Sequence, residues 1–275
     1  MQRQTNLKIV KSGDLVEVFR YENPISYGPA DFKRATKLDC RVEDIGVKKG
    51  GISKQSIYQT KSRLRRLIYA NAGKWNDEDG KQYPTIFLTL TFEENLTSVS
   101  KAAYEYKKFI QKLNYKVSNS KKSLLEYIAV PEFQKRGAVH YHAVIFNLPY
   151  MKNIYDELNE IWGKGYFIIK TVNDIGLASA YLTKYLRKEI EDGRLSARRR
   201  YYPSKGLKKS VATFNQANNE FIMQFIPEKS KVLEKDYTSE YCGDYKYSIY
   251  DLSKFPGKND MLSAINEIMK MENEK

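Results

Sequence analysis

Histidine is almost missing from this chain. The 275 residues contain two, His140 and His142, so any imidazole chemistry is confined to one short stretch. Cysteine is as scarce, with Cys40 and Cys242 alone. They form no CxxC pattern, and two are too few for the disulfide frameworks of small secreted domains. No apolar run is long enough to span a bilayer. The first residues, MQRQTNLKIVKSGDLVEV, lack the apolar centre of a signal peptide, so none is expected. No GxxxxGK(S/T) loop is present, which excludes a P-loop motor within these residues. Together these absences lead to the expectation of a reducing, cytoplasmic setting with no membrane partner.

What the chain has in excess is positive charge. Lys and Arg number 47 against 33 Asp and Glu, a net charge of +14. Such an imbalance favours a polyanionic partner, most often nucleic acid. The 41% of hydrophobic residues is enough for a packed core, which excludes a disordered basic tail.

The histidines lie in VPEFQKRGAVHYHAVIF, residues 130–146. Alternate side chains of a strand share a face, so His140 and His142 point the same way. Their neighbours Val139, Ala143, Val144, Ile145 and Phe146 suit a buried strand. A single buried histidine is usually a hydrogen-bonded core residue. Two at this spacing each need a partner, and a metal ion would serve both. If 124–132 and 139–147 pair as a hairpin around QKRG, Glu132 faces the pair.

Other elements follow from pattern. TIFLTLTF, residues 85–92, is the clearest strand, with Ile86, Leu88, Leu90 and Phe92 on one face and Phe87, Thr89 and Thr91 on the other. Residues 98–117 form an amphipathic helix with Ala102, Tyr106, Phe109, Ile110 and Leu113 inward. A helix is expected over 150–162 and a strand over 165–171. In the helix expected over 174–191, Tyr181, Lys184, Tyr185 and Lys188 share a face. Residues 1–50 read as irregular apart from a short strand at VEVFRYE, and FIMQF, residues 221–225, reads as a strand. Residues 236–256 are rich in Tyr and resist assignment, and 259–275 reads as a terminal helix.

Two basic segments are candidates for phosphate contact. One is the helix 53–72, with Arg63, Arg65 and Arg66, for which an ordinary solvated face is the competing reading. The other follows Gly193, where Arg198, Arg199, Arg200 and Lys205 are interleaved with Tyr201 and Tyr202. Basic side chains can track a phosphate backbone while aromatic rings stack on unpaired bases. Arg136, in the QKRG turn, joins this set.

A strand with hydroxyls (FLTLTF), a strand with HYH and a helix with YLTKY occur in that order. This trio resembles the HUH endonuclease superfamily of rolling-circle replication initiators, over roughly residues 80–190. Within it, EFQKRGAVHYH and the paired-tyrosine helix resemble the initiation proteins of small single-stranded DNA phages, the gokushovirus-like microviruses. The resemblance implies an α+β fold, a central antiparallel β-sheet with flanking helices around an RRM- or ferredoxin-like core. It implies a catalytic core over 81–195, flanked by an N-terminal extension, 1–80, and a basic, aromatic accessory region, 196–275. It implies that His140, His142 and Glu132 bind a divalent metal, Mg²⁺ or Mn²⁺. Tyr181 and Lys184 match the family's Tyr-x-x-Lys, and Tyr185 is a second nucleophile.

The implied activity is nicking and rejoining of single-stranded DNA at a replication origin through a phosphotyrosine. Such a protein would work beside host helicase and polymerase in the bacterial cytoplasm. A plasmid initiator, relaxase or transposase of the same superfamily, and a regulator that binds DNA without cleaving it, stay open as alternatives. A cupin-like enzyme does not, because it needs a further histidine downstream.

Overall fold

The computed structural model describes residues 3–28, 54–192, 201–239 and 242–273. The described residues form two antiparallel sheets of five strands and six α-helices, an α+β fold. They divide into two compact units. One comprises residues 71–207, the other 1–70 together with 208–275. The single main domain expected from sequence, with separate flanks at 1–80 and 196–275, is therefore corrected. The two ends of the chain build one sheet between them.

In the 71–207 unit the strands are β3 (Ile86–Thr91), β4 (Tyr127–Phe133), β5 (Val139–Ile145), β6 (Phe167–Thr171) and β7 (Tyr202–Pro203), in the order β6-β3-β5-β4-β7. β-branched and aromatic residues dominate these segments, as expected for pleated, half-buried chain. One face packs Leu88, Leu90, Ala129, Val139, Tyr141 and Ile145 against α2 (Val99–Ser118) and α3 (Ile154–Trp162). α2 starts where the Ser98 hydroxyl accepts from the Lys101 N–H. It ends at Asn119, in the left-handed region at φ 46°. Its buried residues include all five expected inward positions. The last helix of the unit is α4 (Ile175–Asp192), which packs against β4.

The hairpin inferred around QKRG is present. Glu132 pairs directly with His140, and Val130 with His142. Gly137 turns the chain at φ 88°, and its N–H donates to the Gln134 carbonyl.

The other unit contains β1 (Arg3–Ser12), β2 (Leu15–Tyr27), β8 (Val211–Thr213), β9 (Lys231–Ser239) and β10 (Gly243–Asp251) in the order β8-β1-β2-β10-β9. Leu7, Ile9, Val16 and Val18 pack on one face with Ile222 and Ile226, at and just beyond the end of α5 (Gln216–Phe225), and with Leu262 and Ile265 of α6 (Lys258–Asn273). The opposite face carries Lys8, Glu17, Phe19, Tyr245 and Tyr247. There the Lys8 ammonium lies 4.7 Å from the centre of the Phe19 ring. Glu17 is held by Arg65 and Arg66 of α1 (Lys54–Asn71), and the Tyr247 hydroxyl donates to it.

Two sequence expectations fail in this unit. Residues 3–27 form a hairpin of two long strands, not irregular chain. Lys8 and Glu17 disguise it, because a buried charge on the inner face breaks the polar–apolar alternation. FIMQF is the end of helix α5, not a strand. Asn215 caps that helix by accepting from the Asn218 N–H, and Ile222 supplies its buried side. The Tyr-rich segment resolves as the β9–β10 hairpin, its rings stacked on one another across the strands. Cys242, at the start of β10, is disulfide-bonded, which the sparse cysteine count did not anticipate.

Candidate active site

Strand alternation divides the His-x-His stretch between two environments. Tyr141 points into the core, where it is fully buried and its ring stacks on Tyr106 at 4.5 Å. Burial pushes the Tyr141 phenol far above its ordinary value, and the nearby Tyr202 adds to this. A phenol so hard to ionise, and on the core face, is no nucleophile. His140 and His142 lie on the opposite face.

Three strands supply that face in register. Thr89 of β3 pairs with His142 and Thr91 with His140, while β4 brings Glu132 from the other side. The Thr89 hydroxyl lies 3.1 Å from His142 Nδ1, and the Thr91 hydroxyl 3.4 Å from His140 Nδ1. With Nδ1 engaged by a threonine, each ring turns Nε2 toward the cleft. His142 Nε2 is 2.7 Å from Glu132 Oε2. The Glu132 side chain is 12% exposed and that of His142 5%. This is a sheltered site at the margin of solvent.

α4 lays a phenol against the imidazoles. The Tyr181 ring meets His142 edge-on, with centroids 6.2 Å apart. It meets Phe87 in the same manner at 5.1 Å. Tyr181 is 44% exposed, so its ring is fixed at one edge and open at the other. Lys184, one turn along, is exposed. Tyr185 lies in α4, but its side chain is outside the described residues.

The donor set suits a divalent cation. Two imidazole nitrogens and a carboxylate are borderline-to-hard ligands, and the threonines act as outer partners that fix ring orientation. The Glu132–His142 contact has the length of a hydrogen bond, so a cation entering here would replace it. Among the described residues, no three His, Cys, Asp or Glu side chains form a closed metal cage. Any ion would sit in an open site with positions left for substrate.

Not every expected DNA contact is placed for that work. Arg66 is buried and ion-paired with Glu17. Arg65 lies 2.7 Å from the same carboxylate. Their assignment to phosphate contact is corrected, because the buried acid needs both. Arg63, on the same helix, is exposed. Arg136 braces the hairpin turn, donating to the Phe92 carbonyl at 3.0 Å and to Gln134 at 2.8 Å. Tyr202 pairs with Ala129 and packs on the core face beside Tyr141, so it is not a stacking platform beside the histidines. Tyr201 is half-buried and Lys205 exposed. Arg198, Arg199 and Arg200 lie outside the described residues.

Sequence reasoning gave Phe87, Thr89 and Thr91 no role at the site. The available signal was their alternation in FLTLTF, which sets all three on one face, but nothing in the sequence says which strand lies beside them.

Residues 85–190 match a family model of replication-associated proteins, the ORF2 type. The matched segment contains both histidines, Glu132 and Tyr181, and it supports a rolling-circle replication initiator. No curated protein and no solved structure matches the chain.

Proposed function

We propose that this protein nicks and rejoins single-stranded DNA through a covalent phosphotyrosine, starting and ending rolling-circle replication of a small phage genome. The observation that carries this reading is the edge contact of Tyr181 with His142, which brings an exposed phenol beside a three-residue donor set. The family match over the same segment favours replication over other uses of the chemistry.

In this reading Tyr181 Oη attacks the scissile phosphorus. The new Tyr O–P bond forms as the bond to O3′ breaks, and O3′ departs with a proton as a free hydroxyl. Rejoining reverses the step: the 3′-hydroxyl attacks the phosphotyrosine and the phenol is released. Bond energy is conserved, so no cofactor is consumed. His140, His142 and Glu132 would hold the cation, Mg²⁺ or Mn²⁺. When bound, it supplies charge neutralisation at a non-bridging phosphate oxygen. Lys184 offers a positive charge near the phenol and the phosphate. Tyr185, one turn beyond Tyr181, would act as the second nucleophile when the regenerated origin returns. The partners are single-stranded origin DNA and host helicase and polymerase, in the cytoplasm of a bacterial cell.

The test is covalent capture. A labelled single-stranded origin oligonucleotide, incubated with protein and Mn²⁺, should give an adduct that survives denaturing electrophoresis. Wild type should form it, and chelator should abolish it. An undiminished adduct on the Tyr181→Phe, Tyr185→Phe double variant would refute the assignment. Binding without any cleavage would favour the non-catalytic regulator.

A further inference from the structure

The site face does not end at the threonines. β6 is the edge strand beyond β3, and its side chains alternate as those of β3 do. Phe167 and Ile169 pack on the core side. The intervening residues therefore project on the side of the histidines. Lys170 pairs with Phe87 and Ile168 with Thr89. Tyr166 continues the row, since the Thr91 N–H donates to its carbonyl at 2.8 Å. Tyr166 is 79% exposed and Ile168 55% exposed.

This placement is built into the backbone. Gly165 precedes Tyr166 with φ 136°, and a Cβ there would lie 2.6 Å from the Thr91 carbonyl oxygen and 2.4 Å from the Glu93 nitrogen. Only glycine permits that approach, and the approach sets Tyr166 level with Thr91. Two strand spacings, about 10 Å, then separate Tyr166 from the row that holds His140.

From this geometry we infer that Tyr166, with Ile168 and Lys170, forms a platform on which unpaired bases of a DNA strand stack as the strand passes the histidines. The inference rests on the function proposed above and adds the surface that holds the strand. A phenol ring and a branched aliphatic chain side by side offer a flat apolar surface that any base can use. The Lys170 ammonium on the same face meets the phosphates. A chain with net charge +14 draws in the polyanion. An apolar pair on an open sheet edge is otherwise a liability for edge-to-edge association, and a stacked strand would cover it.

Fluorescence anisotropy with a labelled unpaired oligonucleotide on the full chain, without divalent metal, tests this. Tyr166→Ala should weaken binding about tenfold. Tyr166→Phe, which keeps the ring, should stay within about twofold of wild type. Tyr104→Ala should bind as wild type, since Tyr104 is an equally exposed tyrosine on α2, which packs on the opposite face of the sheet. Duplex DNA should bind Tyr166→Ala and wild type alike. The platform is overturned if Tyr166→Ala binds the unpaired strand as wild type does, or if Phe loses as much as Ala. It is also overturned if Tyr166→Ala loses duplex and single strand equally, or dissolves a dimer in sedimentation without changing DNA affinity. Because no cleavage is read, a protein that forms no adduct yet shows the Tyr166 loss would refute the proposed reaction and keep the platform. The converse result would do the reverse.

Discussion

Each sheet sets a carboxylate mid-strand on the face away from its main apolar core, and the two acids are used differently. Glu17 of β2 is wholly buried, between two guanidinium groups and a phenol. Burial by itself would raise its pKa. The charges of Arg66 and Arg65, with hydrogen bonds from Arg66 and Tyr247, outweigh that and bring it down to about 2. Glu132 of β4 stands at the solvent margin and meets an imidazole. A charge enclosed by opposite charges is locked into one arrangement and serves the fold. A charge facing an imidazole in an open cleft can exchange partners, which a substrate or cation site requires.

The contrast is broken most severely by changing the residue that only the open site uses. Tyr181→Phe should lower the rate of adduct formation by about a thousandfold or more, the scale of losing a nucleophile. Its unfolding free energy should change by less than about 0.5 kcal/mol, because the ring that packs on Phe87 remains. Rate measurement on a labelled oligonucleotide and urea denaturation read the two effects separately.

Glu17→Gln should cost about 3–5 kcal/mol, since it leaves guanidinium charge buried without its counter-ion. Glu132→Gln should cost less than about 1 kcal/mol in the same urea titration, as its side chain reaches solvent. Equal losses in the two variants would erase the distinction between the two acids.

Thr89→Val sharpens the comparison within the open site. Removing the hydroxyl that holds His142 Nδ1 should weaken Mn²⁺ binding by about tenfold or more, with Thr89→Ser restoring most of it. Titration calorimetry checks both, and an unchanged affinity in Thr89→Val would make that hydroxyl a packing feature only.

The smallest expected effect is on pH dependence. Glu17 has a folded pKa depressed from 4.5 to about 2, so its ionised form favours the folded state. That contribution is fully present above pH 4.5 and is lost as pH falls toward 2. The urea midpoint of wild type should drop across that window more steeply than that of Glu17→Gln.

Much of the open site was legible before the fold was known, for a local reason. His140 and His142 share a face because strands alternate. Glu132 faces them because a tight hairpin turn sets a register of a few residues. Both follow from short stretches of chain, as does the spacing of Tyr181 and Lys184 on one helix. The enclosed site was not legible in the same way. Lys8 and Glu17 look like solvent-facing residues until a third element covers them. Arg65 and Arg66 look like a basic face until their acid arrives from a segment 48 or 49 residues earlier.

By itself, the amino-acid sequence determined the elements and the faces they carry: the strand with Thr89 and Thr91, the histidine pair, the tyrosine helix and a positive charge that calls for a polyanion. Only the tertiary structure decided which faces meet. It brought β3 beside β5, so that two threonines steady two imidazoles. It laid Tyr181 on His142, left Tyr166 open at the sheet edge, and joined the two ends of the chain in a single sheet. The physical reason is range. Alternation and helical periodicity act over a few residues and are written in the chain. Pairing between distant strands is settled by which combination buries the most apolar surface while leaving no charge without its counter-charge.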